Sequence, residues 1–131
     1  MRAKMTKSAV YTEEAPTPIG TYSQAIVAGN LVFTAGQLPI DPKTGSFGEA
    51  SIEGQTRQVL KNIRAIVAKA GGGMEDVVKV TVYLQDLNDL QAMNKVYGEF
   101  FAPTSTARMV FQAARLPRDA KVVMDAVACL K

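Results

Sequence analysis

The sequence has no histidine, no tryptophan and a single cysteine, Cys129. Without histidine there is no Ser-His or Cys-His nucleophile pair and no His-ligated zinc, so acid-base work falls to Asp, Glu, Tyr, Lys, the backbone or the substrate. A lone cysteine closes no internal disulfide and holds no metal by itself. No apolar run nears the roughly 20 residues that span a bilayer. The start, MRAKMTKSAV, lacks the apolar stretch of a secretory signal. A cytoplasmic protein with no membrane partner is therefore expected. The basic residues before Glu13 fit a frayed terminus better than the stub of a mitochondrial presequence. Fifteen Lys and Arg against 12 Asp and Glu leave a net charge of +3, scattered along the chain. With no basic stripe interleaved with aromatics, a nucleic-acid partner is not expected.

What is present suits one domain over residues 1–131, with 1–14 frayed or partly extended: 47% hydrophobic residues are enough for a core without staples. Ser23 to Ala28 and Leu31 to Gly36 read as strands joined by a Gly29-Asn30 hairpin turn. The turn Asp41-Pro42-Lys43-Thr44-Gly45 stops the run before it. From Ser51 to Ala70, Ile52, Val59, Leu60, Ile63, Val67 and Ala70 recur at helical spacing, with Ser51 as cap and the glycines at 71 to 73 as stop.

Val78, Val80, Val82 and Leu84 then alternate with Lys79, Thr81, Tyr83 and Gln85. This predicts a half-buried strand whose mixed second face fits contact with another subunit. Asn88 or Asp89 is the expected cap of a second helix, with Leu90, Met93, Tyr97 and Phe100 inward and Pro103 after its end. In the closing strands, Arg108, Val110 and Gln112 oppose Met109 and Phe111, and Val123, Asp125 and Val127 oppose Val122, Met124 and Ala126. The order implies an α+β fold, a mixed sheet of about six strands with both helices on one face.

Several residues carry two readings. Arg108, inside an apolar strand, is either a fork for a substrate carboxylate or half of a structural ion pair with Asp125 or a neighbouring subunit's acid. Spacing alone favours the ion pair. Asp125 is a buried partner or an acid-base group, the first favoured. Tyr22, beside the Gly20-Thr21 turn, packs its ring or stands over a site. Gly36 marks a bulge or lets a ligand approach the backbone. Asn94 is an ordinary solvated helix residue or a bridge to a loop. Met93, Met109 and Met124 read as core filling.

Taken in order, these segments resemble the reactive intermediate deaminases, also known as the liver perchloric-acid-soluble protein family. Ile19-Gly20-Thr21-Tyr22-Ser23-Gln24-Ala25 is similar to the family's opening motif, and Gly29 to Gln37 to its second strand. Gln55 to Ile63 matches its first helix and Asp76 to Leu84 its third strand. Ala107-Arg108 with Ala113-Ala114-Arg115-Leu116-Pro117 resembles its C-terminal signature. The register holds from about Ala15 to Ala128.

The resemblance implies a chorismate-mutase-like homotrimer with sheets facing the central core and one site in each inter-subunit cleft, needing no metal or organic cofactor. There Arg108 would bind the carboxylate of a small 2-imino or 2-oxo acid. Tyr22, Asn94 and the backbone at Gly36 would shape the pocket, and Ala35 and Val110 would line it. A glutamate on the last strand would hold the water that hydrolyses the imine to a 2-oxo acid and ammonia. The chain departs from the pattern at that point: Val123 occupies the glutamate's position and Asp125 that of the second acid, about 7 Å along the strand. Ala35 replaces a serine, Thr106 a proline, and Met109-Val110 a serine followed by a small or thiol residue. Gln112 stands where glutamate is frequent, and the 101–107 loop is short. Three functions follow in order: an imine and enamine deaminase, a non-catalytic trimer that captures small carboxylates or partner proteins, and, last, a translation-inhibiting endoribonuclease.

Overall fold

The computed structural model describes residues 6–131. The basic start therefore lies in part outside the described residues. Strands β1 (Lys7–Val10), β2 (Ala25–Ala28), β3 (Leu31–Thr34), β4 (Ile40–Asp41) and β5 (Ser46–Phe47) precede helix α1 (Ile52–Lys69). β6 (Val77–Leu84), α2 (Leu90–Phe100), β7 (Ala107–Gln112) and β8 (Val122–Cys129) follow. Six strands form one sheet in the order β1-β2-β3-β8-β6-β7, and β4 and β5 form a separate hairpin. All neighbours in the large sheet are antiparallel except β6 and β7. That parallel pair needs a crossover, and α2 supplies it.

Both helices cover one face of the sheet. Val59, Leu60, Ile63, Ile66 and Val67 of α1 and Met93 and Tyr97 of α2 pack on Val32, Val80, Val82, Leu84, Val122 and Met124. Helix α1 starts where the sequence places it: the Ser51 hydroxyl accepts the Gly54 N–H at 3.0 Å. It ends at Gly71, whose φ of 103° suits glycine.

Residues 7–10 are an edge strand paired with β2, the extended alternative to a frayed end. The structure differs from the sequence reading in three places. The 41–45 turn joins a two-residue hairpin. In β6, Val77 pairs with Ala128 and Lys79 with Val127, so Val78 is the extra residue of a bulge and is exposed instead of inward. Before α2, Asp86 accepts the Asn88 N–H at 2.9 Å and caps a 3₁₀ turn. Asp89 holds the N-cap position of α2 but makes no side-chain hydrogen bond there, and Val96 joins Met93 and Tyr97 on the buried stripe.

Among the described residues, no helix covers the opposite face of the sheet. Phe33, Met109 and Phe111 stand exposed there, and Tyr83 meets Phe111 edge-on at 5.0 Å between centroids. Asp125, Thr81 and Met109 are register partners across β8, β6 and β7 and share this face.

Buried carboxamides fix the irregular segments. Gln24, 1% exposed, accepts the Thr12 N–H and donates to the carbonyls of Thr12, Ala15 and Pro16. Replacing Gln24 by leucine leaves these backbone groups without partners. A loss of roughly 2–4 kcal/mol is expected, read as a lower urea midpoint at unchanged slope.

Candidate functional site

Arg108 lies in register with Val80, whose side chain is buried beneath the helices, so Arg108 emerges on the helix-covered face at the sheet's edge. Its guanidinium rests over the Tyr97 ring, 4.7 Å from the centroid. Asn94 sits one turn earlier on α2, and together with Gly98, Phe101 and Thr106 these residues line an open cavity of about 350 Å³. The Tyr97 and Thr106 hydroxyls are hydrogen-bonded at 2.6 Å. Burial pushes the Tyr97 phenol up, while Thr106 and Arg108 pull the other way.

This placement overturns the intramolecular ion pair of Arg108 with Asp125. The two emerge on opposite faces of the sheet. Among the described residues, the ion pairs are Arg57 with Glu99 and Arg115 with Asp119, and neither involves Arg108. Arg115 is exposed and pairs with Asp119 at 3.1 Å. Val110, two residues along β7, is half-buried and packs against the main core.

The other expected site residues gather elsewhere. Tyr22, half exposed, faces a narrow cleft with Pro16, Ile19, Gly36, Gln37 and Leu38. This cleft shares no lining residue with the Arg108 cavity. After β3 the chain leaves the ladder: the Ala35 N–H donates to the Gln24 carbonyl at 2.8 Å and the Gln37 N–H to the Met124 carbonyl at 2.7 Å. Gly36 is thereby laid on β8. A Cβ there would lie 3.4 Å from Cγ1 of Val123. Val123 is 8% exposed and forms an apolar cluster with Leu116 and Ala120, flanked by Leu38, Phe47, Tyr83 and Ala113. The Val123 side chain itself can neither hold nor deprotonate a water. A further cavity, about 610 Å³ beside Lys43, Lys61 and Arg64, holds none of the expected site residues.

Sequence reasoning missed Tyr97 and Thr106 as partners of Arg108. The apolar pattern shows Tyr97 only as part of the inward stripe, although its spacing of three from Asn94 puts both on one helix face.

Asp125 is half-buried on the open face, where the Tyr83 hydroxyl donates to it at 3.4 Å. Burial raises its carboxyl above the ordinary range, with the Tyr83 bond and Lys79 opposing. Folding therefore favours the protonated acid, a contribution present in full below the ordinary carboxyl pKa and lost as pH rises through the raised value. Asp125→Asn is expected to raise the melting temperature by a few degrees at pH 7, with the gap closing near pH 4. Thermal unfolding at the two pH values measures this; equal gaps at both would contradict it.

Comparison with known proteins places these two cavities in context. Residues 12–130 match the family model described as Endoribonuclease L-PSP. A RutC family protein of Pyrococcus abyssi is 52% identical over 124 residues, covering 95% of this chain and 98% of its own. The 2-iminobutanoate/2-iminopropanoate deaminase of Salmonella typhimurium is 44% identical over 122 residues, covering 91% and 94%. Among solved structures, E. coli TdcF with bound serine superposes with a TM-score of 0.88 at 39% identity, covering 95% and 99%. With the model match spanning nearly the whole described chain, this protein belongs to the Endoribonuclease L-PSP family, which includes the reactive intermediate deaminases.

Proposed function

We propose that the protein is a homotrimer that binds the carboxylate of a small 2-imino or 2-oxo acid on Arg108, as an imine and enamine deaminase whose hydrolytic step is weakened or redirected. The observation that carries this reading is the state of Arg108: an exposed guanidinium without an acidic partner among the described residues, aimed into a cavity beside the Asn94 amide. A fork of parallel N–H donors suits a planar carboxylate, and a lysine would not reproduce it.

The division of the site residues between two separate cavities supports a trimer. With Arg108 and Asn94 lining one cavity and Tyr22 and Gly36 the other, a second copy is needed to complete one pocket from both. The open sheet face, with exposed Phe33, Met109 and Phe111, offers the apolar area for such an assembly. The Salmonella typhimurium relative, named as a 2-iminobutanoate/2-iminopropanoate deaminase, supports the substrate class.

Hydrolysis adds water across the C=N bond and expels ammonia, leaving a 2-oxo acid. Orientation accounts for much of such a reaction, and Arg108 would supply it by fixing the carboxylate. The general base is the weak part. Val123 replaces the expected glutamate with an apolar wall, and Asp125 is turned to the open sheet face and held by Tyr83. Asp125 would act only through a relay or a shifted substrate. The second reading, a trimer that binds the acid without hydrolysing it, is favoured by this apolar wall. The endoribonuclease reading draws on no feature of the site.

The test is ammonia and 2-oxo acid release from imino acids generated in situ by an amino-acid oxidase, together with calorimetry of 2-oxobutanoate. Arg108→Ala is expected to weaken 2-oxobutanoate binding about 100-fold, the loss of two charge-assisted hydrogen bonds. Val123→Glu is expected to raise release over the parent protein about 100-fold, the low end of what a placed general base gives. Binding that survives Arg108→Ala unchanged would sink the carboxylate assignment.

A further inference from the structure

We propose that Tyr97 is a positioning residue for Arg108 and that Thr106 locks it in place. The inference rests on the carboxylate reading for its purpose, while its geometry stands apart from that reading.

An arginine that must meet a ligand has two conflicting needs. Its long stem loses much rotamer freedom when it is held in one pose, so something must hold it. Yet an acidic partner would occupy the N–H groups the ligand requires. A neutral aromatic face resolves this, because it attracts the guanidinium through its π-cloud and leaves the N–H edge free. The Tyr97 ring stands in that relation to Arg108, 4.7 Å from its centroid to Cζ.

The ring itself is held from three sides. It is 9% exposed in the main core, packs against Phe101 at 4.6 Å between centroids, and is tied through its hydroxyl to Thr106 Oγ1 at 2.6 Å. Thr106 lies two residues before Arg108, on the segment that launches β7. Helix α2 and the root of the arginine's own strand are thus fastened at the point where the guanidinium folds back. Thr106 stands where the resemblance implies a proline, which has no hydroxyl to offer Tyr97.

The experiment compares Tyr97→Leu, Tyr97→Phe and Thr106→Val in the full-length protein, by calorimetry of 2-oxobutanoate and by NMR of the Arg108 Nε–H group. A guanidinium over a ring face is shifted upfield by the ring current. The upfield shift is expected in the parent protein, retained in Tyr97→Phe and lost in Tyr97→Leu, whose binding weakens about tenfold. Tyr97→Phe and Thr106→Val each remove the same hydroxyl bond and are expected to weaken binding by about threefold, without adding when combined. A folded Tyr97→Leu with an unmoved Arg108 resonance overturns the inference. Should that variant not fold, Tyr97→Phe and Thr106→Val both at parent affinity overturn it. If no 2-oxo acid binds the parent protein while the resonance still follows Tyr97, the carboxylate reading fails and the positioning role stands.

Discussion

Gln24 sits at the start of β2 with its side chain sealed from water and bonded to the backbone of residues 12, 15 and 16. A carboxamide is suited to this place. It offers donors and an acceptor without carrying a charge whose burial would be far more costly. The same device recurs on α1. Asn62 donates to the carbonyls of Leu38 and Ile40, and Gln55 accepts the Lys121 N–H and donates to the Glu49 carbonyl. These three side chains fix the non-repetitive segments around one end of the sheet, including 12–16 and 38–40 beside the Tyr22 cleft. The ladder alone could not place those segments, since their backbone groups lie outside it.

The second governing constraint is that the sheet has one covered face. Helices fill the side of Val80, Val82 and Leu84, so Arg108, on the same face but at the edge, escapes the core and opens beside α2. The other face carries Asp125 with exposed aromatics. Two groups that alternate along separate strands can therefore serve one reaction only if copies of the chain meet, which is the assembly proposed above. The polar and apolar mixture on that face is compatible with an interface that is partly wet.

The sequence made much of the fold legible, and the exceptions have physical causes. Helix α1 declares itself because an apolar stripe of five turns, a serine cap and a glycine stop all agree. β1 does not, since a four-residue edge strand with three exposed residues has no periodicity to read. Val78 fits the alternation and still faces out, because a bulge shifts register through the partner strand, which local pattern does not contain. The faces of Arg108 and Asp125 were each legible within their own strand. Their relation was not, for it depends on how β7 and β8 register on β6. Tyr97 read as core and is core; its second role depends on a side chain that lies eleven residues away in sequence and reaches it only across the crossover.

Under the proposed function, the residues that would bind the acid and the position that would activate water lie on different elements. Arg108, Asn94, Tyr97 and Thr106 are carried by α2, β7 and the loop between them, whereas Val123 belongs to β8 and an apolar cluster of its own. A carboxylate at position 123 would have to be desolvated against Leu116 and Ala120, which raises its pKa. For a general base this is an advantage up to a point, because a pKa brought toward neutrality strengthens proton abstraction while leaving part of the population ionised. Valine gives up that reactivity and gains a dry, uncharged contact beneath Gly36. Position 123 lines no part of the Arg108 cavity, so under the proposed function a substitution there would alter hydrolysis without touching the residues that hold the acid.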